Sequence, residues 1–99
     1  MAIGTITRLP QGQGAEQYDA VNGQMGLATD PPEGLIFHSA GELDGRFQIF
    51  NVWEAREHSE RFTRERIRPA LVAVMGEERV ASLPEPEMVE VAIHNYLIP

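Results

Sequence analysis

The chain contains no cysteine, which removes disulfides, thiolate nucleophiles and cysteine metal sites together. No apolar run approaches the length of a membrane span, and the opening MAIGTITRLP lacks a signal-peptide pattern. A cytoplasmic protein with no membrane partner is therefore expected. Basic charge is scarce: eight basic residues, all arginine, stand against fifteen acidic ones, for a formal net charge of −7. Arg56, Arg61, Arg64, Arg66 and Arg68 crowd one segment among Glu54, Glu57, Glu60 and Glu65. That interleaving makes i,i+4 pairs such as Glu57–Arg61 and Glu60–Arg64, not the positive face that nucleic acid requires. Nucleic acid is not expected as a partner. The three histidines fall on different elements, without His-x-His or Glu-x-x-His spacing on a helix. There is no glycine-rich phosphate loop, no GxSxG and no dinucleotide fingerprint, so neither a metal nor a cofactor is expected.

What is present suits one small domain over residues 1–99, with 42% hydrophobic residues for a single core. Ala2 to Leu9 alternates as a strand, with Ile3, Thr5, Thr7 and Leu9 on one face. Ala15 to Met25 reads as a helix carrying Tyr18, Val21 and Met25 on one stripe, and Gly26 stops it. Ala28 to Gly34, with Pro31 and Pro32, reads as a rigid loop. Leu35 to Leu43 and Arg46 to Trp53 form two strands joined at Asp44-Gly45, a strong hairpin signal. A two-residue turn pairs Leu43 with Arg46, and hence His38 with Asn51, Ala40 with Ile49 and Ile36 with Trp53. A bulge near Gly41 would shift that register.

The segment after Trp53 carries Ala55, His58, Ser59, Phe62, Glu65 and Arg66 on one helical stripe, whereas Ile67, Leu71 and Val74 point away. Two apolar faces do not suit one straight helix. Pro69 offers a resolution, a break into a helix from Ala55 to about Arg68 and a reoriented one from Pro69 to Met75. Ile67 and Leu71 would then join a different cluster from Phe62. Glu77 to Glu87 reads as a loop, and Met88 to Ile98 as the last strand.

The order β-α-β-β-α-β is the ferredoxin-like pattern: an α+β fold with a four-stranded antiparallel sheet and helices on one face. Both strand faces are largely apolar, so a second copy is the natural cover for the bare one.

With that topology, Val52-Trp53-Glu54-Ala55, Phe62 and Arg66-Ile67-Arg68-Pro69-Ala70 resemble the dimeric α+β barrel superfamily, within it the antibiotic biosynthesis monooxygenase (ABM)-like proteins. The resemblance implies a homodimer whose two sheets close into a barrel, with a small-molecule cavity between each sheet and its helices. The haem-degrading branch has asparagine, tryptophan and histidine where this chain has Thr7, Phe62 and Val72, so haem degradation is not implied. The branch that oxidises aromatic polyketides without a cofactor uses Asn, Trp and Tyr around a buried phenol, types present here at Asn51, Trp53, Tyr18 and Tyr96.

His38 is either cavity-facing or a core histidine satisfied by Asn51; histidine suits proton transfer near neutral pH. His58 and Ser59 occupy the sheet-facing stripe, where they open a pocket unless His58 reaches solvent. Arg66 either clasps a loop or holds an acidic or phenolate substrate. Three functions follow as expectations. The first is a cofactor-independent ABM-like monooxygenase for a small aromatic, with His38 or His58 as base and Asn51 or Arg66 steadying the anion. The second is a cyclase, isomerase or lyase run from the same residues, and the third a non-catalytic binding dimer. Thr5, Thr7, Trp53, Ser59, Phe62 and Arg66 are expected to line the pocket.

Overall fold

A computed structural model describes residues 1–99. Its elements are β1 (Ile3–Arg8), α1 (Ala15–Met25), β2 (Leu35–Leu43), β3 (Arg46–Trp53), α2 (Arg56–Phe62), a π-helical segment (Thr63–Ile67), α3 (Arg68–Met75), α4 (Glu77–Ser82) and β4 (Glu87–Ala92). The strands form one antiparallel sheet in the order β2-β3-β1-β4, the ferredoxin-like arrangement.

The β2–β3 hairpin turns at Asp44 and Gly45, both with positive φ (53° and 76°) as a two-residue primed turn demands. Leu43 pairs with Arg46, and the register carries His38 opposite Asn51 and Ala40 opposite Ile49. The irregularity lies between Leu35 and Phe37, not at Gly41. Ile36 is the extra residue, so Leu35 and not Ile36 stands opposite Trp53. The consequence is specific. Leu35 and His38, three apart, would face opposite ways on a regular strand; the bulge turns both toward the helices.

The helix after β3 is not broken at Pro69. Phe62, Thr63, Ile67 and Arg68 all keep right-handed helical dihedrals, and the adjustment is the π segment before the proline. One extra residue in a turn rotates the following helix by about 100° relative to a straight α-helix. That rotation reconciles the two apolar faces without a break. Ile67 consequently packs on the same cluster as Phe62. Pro69 comes just after the π segment, so its ring and missing N–H fall where the helix ladder is already rearranged.

Two further boundaries differ from the sequence reading. Residues 77–82 form α4, with Glu77 and Glu78 in its first turn, and the loop begins only at Leu83. β4 ends at Ala92 because its partner β1 begins at Ile3, which pairs with Ala92. The chain beyond leaves the ladder, and Leu97 is exposed.

The core beneath the helices is Ile3, Trp53 and Phe62, with Met25, Leu27, Leu35 and Ile67 packed around it. The opposite face carries Ile6, Phe37, Phe50, Val52, Val89 and Val91, assigned by register; Ile93 lies against Gly4 there and Val52 is buried. Phe37 and Val89 are exposed there, and Phe37 meets Phe50 edge to face. No helix is long and apolar enough to cross a membrane.

Candidate functional site

Cross-strand pairing arranges the helix-facing side of the sheet in rows. One row is apolar: Ala92, Ile3, Trp53 and Leu35 across β4, β1, β3 and β2. The adjacent row is polar throughout: Glu90, Thr5, Asn51 and His38. Thr5 and Asn51, at its centre, are the buried polar residues of the chain.

Within this row the Oδ1 of Asn51 lies 2.5 Å from Nδ1 of His38, and Nε2 of His38 lies 2.5 Å from the hydroxyl of Tyr18 on α1. An amide oxygen can only accept, so Nδ1 carries the imidazole proton and Nε2 offers a lone pair to the Tyr18 hydroxyl. The result is a directional chain, Tyr18 O–H to His38 to Asn51. Tyr18 is wedged in place by Phe47, at 5.1 Å between ring centroids, and its ring lies nearly parallel to the imidazole. Desolvation by burial, and then the neighbouring Asp19 carboxylate, raise the Tyr18 phenol above its ordinary value. It remains a donor at neutral pH. At the other end of the row Glu90 receives two bonds from the Arg56 guanidinium on α2, at 2.6 and 2.8 Å. Those bonds hold its carboxyl below the ordinary value.

His38, Asn51 and Thr5 come together in this row, and Thr7 lies in the next one beside Ile49. Trp53 is fully buried and packs against Phe62 at 5.3 Å, so these two rings fill the space beneath α2. Ser59 is half-buried on α2, its carbonyl accepting from the Thr63 hydroxyl. His58 packs on Gly34 so closely that a Cβ there would lie 2.2 Å from the ring. Arg66 donates to the carbonyls of Met25 and Asp30, both at 2.9 Å, and so clasps the loop between α1 and β2. A shallow depression of about 290 Å³ lies on the opposite sheet face, against Ile6, Ser39 and Phe50. No group of histidine, aspartate and glutamate residues is arranged to hold a metal ion.

Tyr18 is the group that sequence periodicity alone does not assign. Its position on the α1 stripe is visible, but the strand it reaches depends on how α1 lies across the sheet. Asn22, one turn further along, is equally hidden; its buried amide oxygen has no hydrogen-bond partner.

No family model matches the chain, and no curated protein matches it in sequence. Solved structures do. SnoaB from Streptomyces nogalater, a cofactor-independent oxygenase, superposes with a TM-score of 0.64 at 13% identity, over 97% of this chain and 96% of SnoaB. A candidate antibiotic biosynthesis monooxygenase from Chloroflexus aurantiacus J-10-fl covers 100% of both chains, with a TM-score of 0.63 at 16% identity. Rv0793 from Mycobacterium tuberculosis reaches a TM-score of 0.66 at 15% identity, over 97% of this chain and 98% of its own. The chain therefore has the α+β ferredoxin-like fold of the antibiotic biosynthesis monooxygenase-like proteins.

Proposed function

We propose that the chain is a cofactor-independent, ABM-like monooxygenase that acts on a small aromatic compound by acid–base chemistry, and that it works as a homodimer. The observation that carries this reading is the hydrogen-bonded chain Tyr18–His38–Asn51 in the polar row beneath α1. Asn51 fixes the tautomer, so the basic nitrogen of His38 points toward Tyr18 and the helix side of the sheet. A weakly acidic phenol or enol bound beside Tyr18 gives up its proton to Nε2, either directly or as Tyr18 passes its own proton on and takes the ligand's. The imidazolium then stands next to the ligand anion and stabilises it. The electron-rich anion is the form that reacts with oxygen without a cofactor, in keeping with the chemistry for which SnoaB is named. Thr5, Thr7 and Ser59 are proposed as the walls, with Trp53 and Phe62, packed on each other, as the closed end. His58 and Arg66, engaged with Gly34 and the α1–β2 loop, hold the frame around them.

The dimer is supported by the bare apolar face of the sheet, where Phe37 and Val89 are exposed. A second copy laid face to face would close the two sheets into a barrel.

Oxygen uptake with a set of phenols and anthrones tests the function. His38→Gln is expected to lower turnover roughly a hundred- to ten-thousand-fold, the usual weight of one acid–base group. Turnover that persists when oxygen is removed assigns the same residues to a cyclase, isomerase or lyase. Turnover unchanged in His38→Gln overturns the reading.

A further inference from the structure

Few contacts hold α1 to the rest of the chain. Val21 is its single buried residue, and its N-cap Gly14 makes no side-chain capping bond. Its last turn contains no basic residue to meet the carbonyls that a helix leaves unpaired at that end. The Asn22 carbonyl accepts from the Gly26 N–H at 3.1 Å. The Met25 carbonyl finds its donor elsewhere in the chain, at Arg66.

One Nη2 group of Arg66 donates to the Met25 carbonyl and to the Asp30 carbonyl, both at 2.9 Å. The Arg66 side chain is 25% exposed, so these bonds are partly sheltered from water. The Asp30 carboxylate, 3.6 Å away and 81% exposed, adds little. Met25 ends the helix that carries Tyr18, and Asp30 lies in the loop that leads into β2, which carries His38. Tyr18 and Met25 share one stripe of α1, about two turns apart. A cation fixed on the Met25 carbonyl therefore also fixes the tilt of the Tyr18 ring over the sheet. The entry to β2 is pinned separately, by the Gly34 carbonyl on the Glu54 N–H at 2.8 Å and by pairing with β3. Loss of the arginine frees the donor side of the Tyr18–His38 bond and leaves the acceptor side in place.

We propose that Arg66 is a positioning residue: by capping α1 from the π segment, it holds the Tyr18 hydroxyl on Nε2 of His38. The inference rests on the reading of Tyr18 and His38 as a proton path, and adds what keeps that path closed. Hydrogen bonds weaken steeply as their geometry departs from the optimum, so a small tilt of α1 breaks this contact before it unfolds the chain.

Arg66→Met keeps the length of the side chain and removes its donors. Arg66→Lys keeps a cation that can serve both carbonyls, and Arg56→Met breaks the tie between α2 and β4 without touching α1. Nitrogen NMR of His38 is read on the ligand-free protein, with Tyr96, the other tyrosine, replaced by Phe throughout so that one phenol titrates. In Arg66→Met the Nε2 signal is expected to move toward that of an imidazole nitrogen with no donor, while Nδ1 stays protonated against Asn51. The Tyr18 phenol, raised by burial, is expected to titrate closer to its ordinary value. Turnover is expected to fall about tenfold in kcat with KM unchanged. Arg66→Lys and Arg56→Met are expected to keep the wild-type Nε2 signal. Should Arg66→Met not fold, Arg66→Gln, too short to bridge both carbonyls, is expected to show the same shift. An Nε2 signal and a Tyr18 titration that stay at wild-type values while the melting temperature falls overturn the inference, because Arg66 then serves the fold alone. The same displacement in Arg56→Met overturns it too, and so does an Arg66→Lys as displaced as Arg66→Met. A wild type without oxygen-dependent turnover, but with the expected Arg66 dependence of the Nε2 signal, leaves this inference standing and removes only the oxygenase reading.

Discussion

His38 and Asn51 lie on neighbouring strands in direct register, with Nδ1 and Oδ1 2.5 Å apart. Asn51 is buried and His38 half-buried, so the bond is sheltered from water and the imidazole N–H has little alternative partner. Replacing Asn51 with Ala leaves that N–H unpaired and opens a small void. A loss of about 1–3 kcal/mol in urea unfolding is expected, the cost of a stranded buried polar group. Tyr18→Phe removes only the outer member of the chain and is expected to cost less stability than Asn51→Ala, while lowering turnover.

Gly34 sets the entry into β2. Its φ is +82°, its carbonyl accepts from the Glu54 N–H at 2.8 Å, and the His58 ring lies where a Cβ would go. Gly34→Ala combines a left-handed backbone for a residue with a side chain, roughly 1–2 kcal/mol, with a clash against the ring. Chemical denaturation should show a loss larger than the backbone cost alone. Adding His58→Ala should relieve the clash and leave only the backbone share; a double variant no more stable than Gly34→Ala would show that the ring is not the obstacle.

The Arg56–Glu90 pair ties α2 to the edge strand β4 and gives stability a dependence on acid. Glu90 has its carboxyl lowered from 4.5, first by the hydrogen bond from Arg56. The contribution is therefore fully present above about pH 4.5 and is lost as pH falls through the lowered value. Melting curves of wild type and Glu90→Gln should differ above that pH and converge below it. Because the pair is exposed, salt should also shrink the difference. A gap that widens toward acid would contradict the assignment.

Phe37 and Val89 project from the bare face of the sheet, 46% and 54% exposed, where the proposed second copy would sit. Sedimentation of wild type should give a dimer at micromolar concentration, and Phe37→Glu should give a folded monomer. A wild-type monomer at that concentration removes the dimer from the account.

Much of this architecture is legible in the chain, because its signals are local. Asp44-Gly45 fixes the hairpin turn, and the turn fixes the pairing of His38 with Asn51 several residues away. The bulge at Ile36 is not local in the same sense: it follows from where Gly34 leaves the Pro31-Pro32 loop and meets His58 and Glu54. Pro69 signals that the long helix needs an adjustment, but a π segment reaches the same end as a break at lower cost in backbone bonds, and periodicity does not separate the two. Tyr18 and Asn22 are hidden for another reason. Their stripe is readable, but the path of α1 over the sheet is set by Met25 on the Ile3–Trp53–Phe62 cluster and Tyr18 on Phe47, contacts between distant parts of the chain.

The central claim is that His38 takes a proton from a bound ligand, and nitrogen NMR of its imidazole tests that most directly. In the free protein the account predicts a protonated Nδ1 facing Asn51 and an unprotonated Nε2 facing Tyr18. On addition of a phenol that is turned over, under nitrogen, both ring nitrogens should become protonated while the ligand's absorption shifts to that of its phenolate. A free protein with the proton on Nε2, or a ring that keeps its state while the phenol binds un-ionised, would contradict the account.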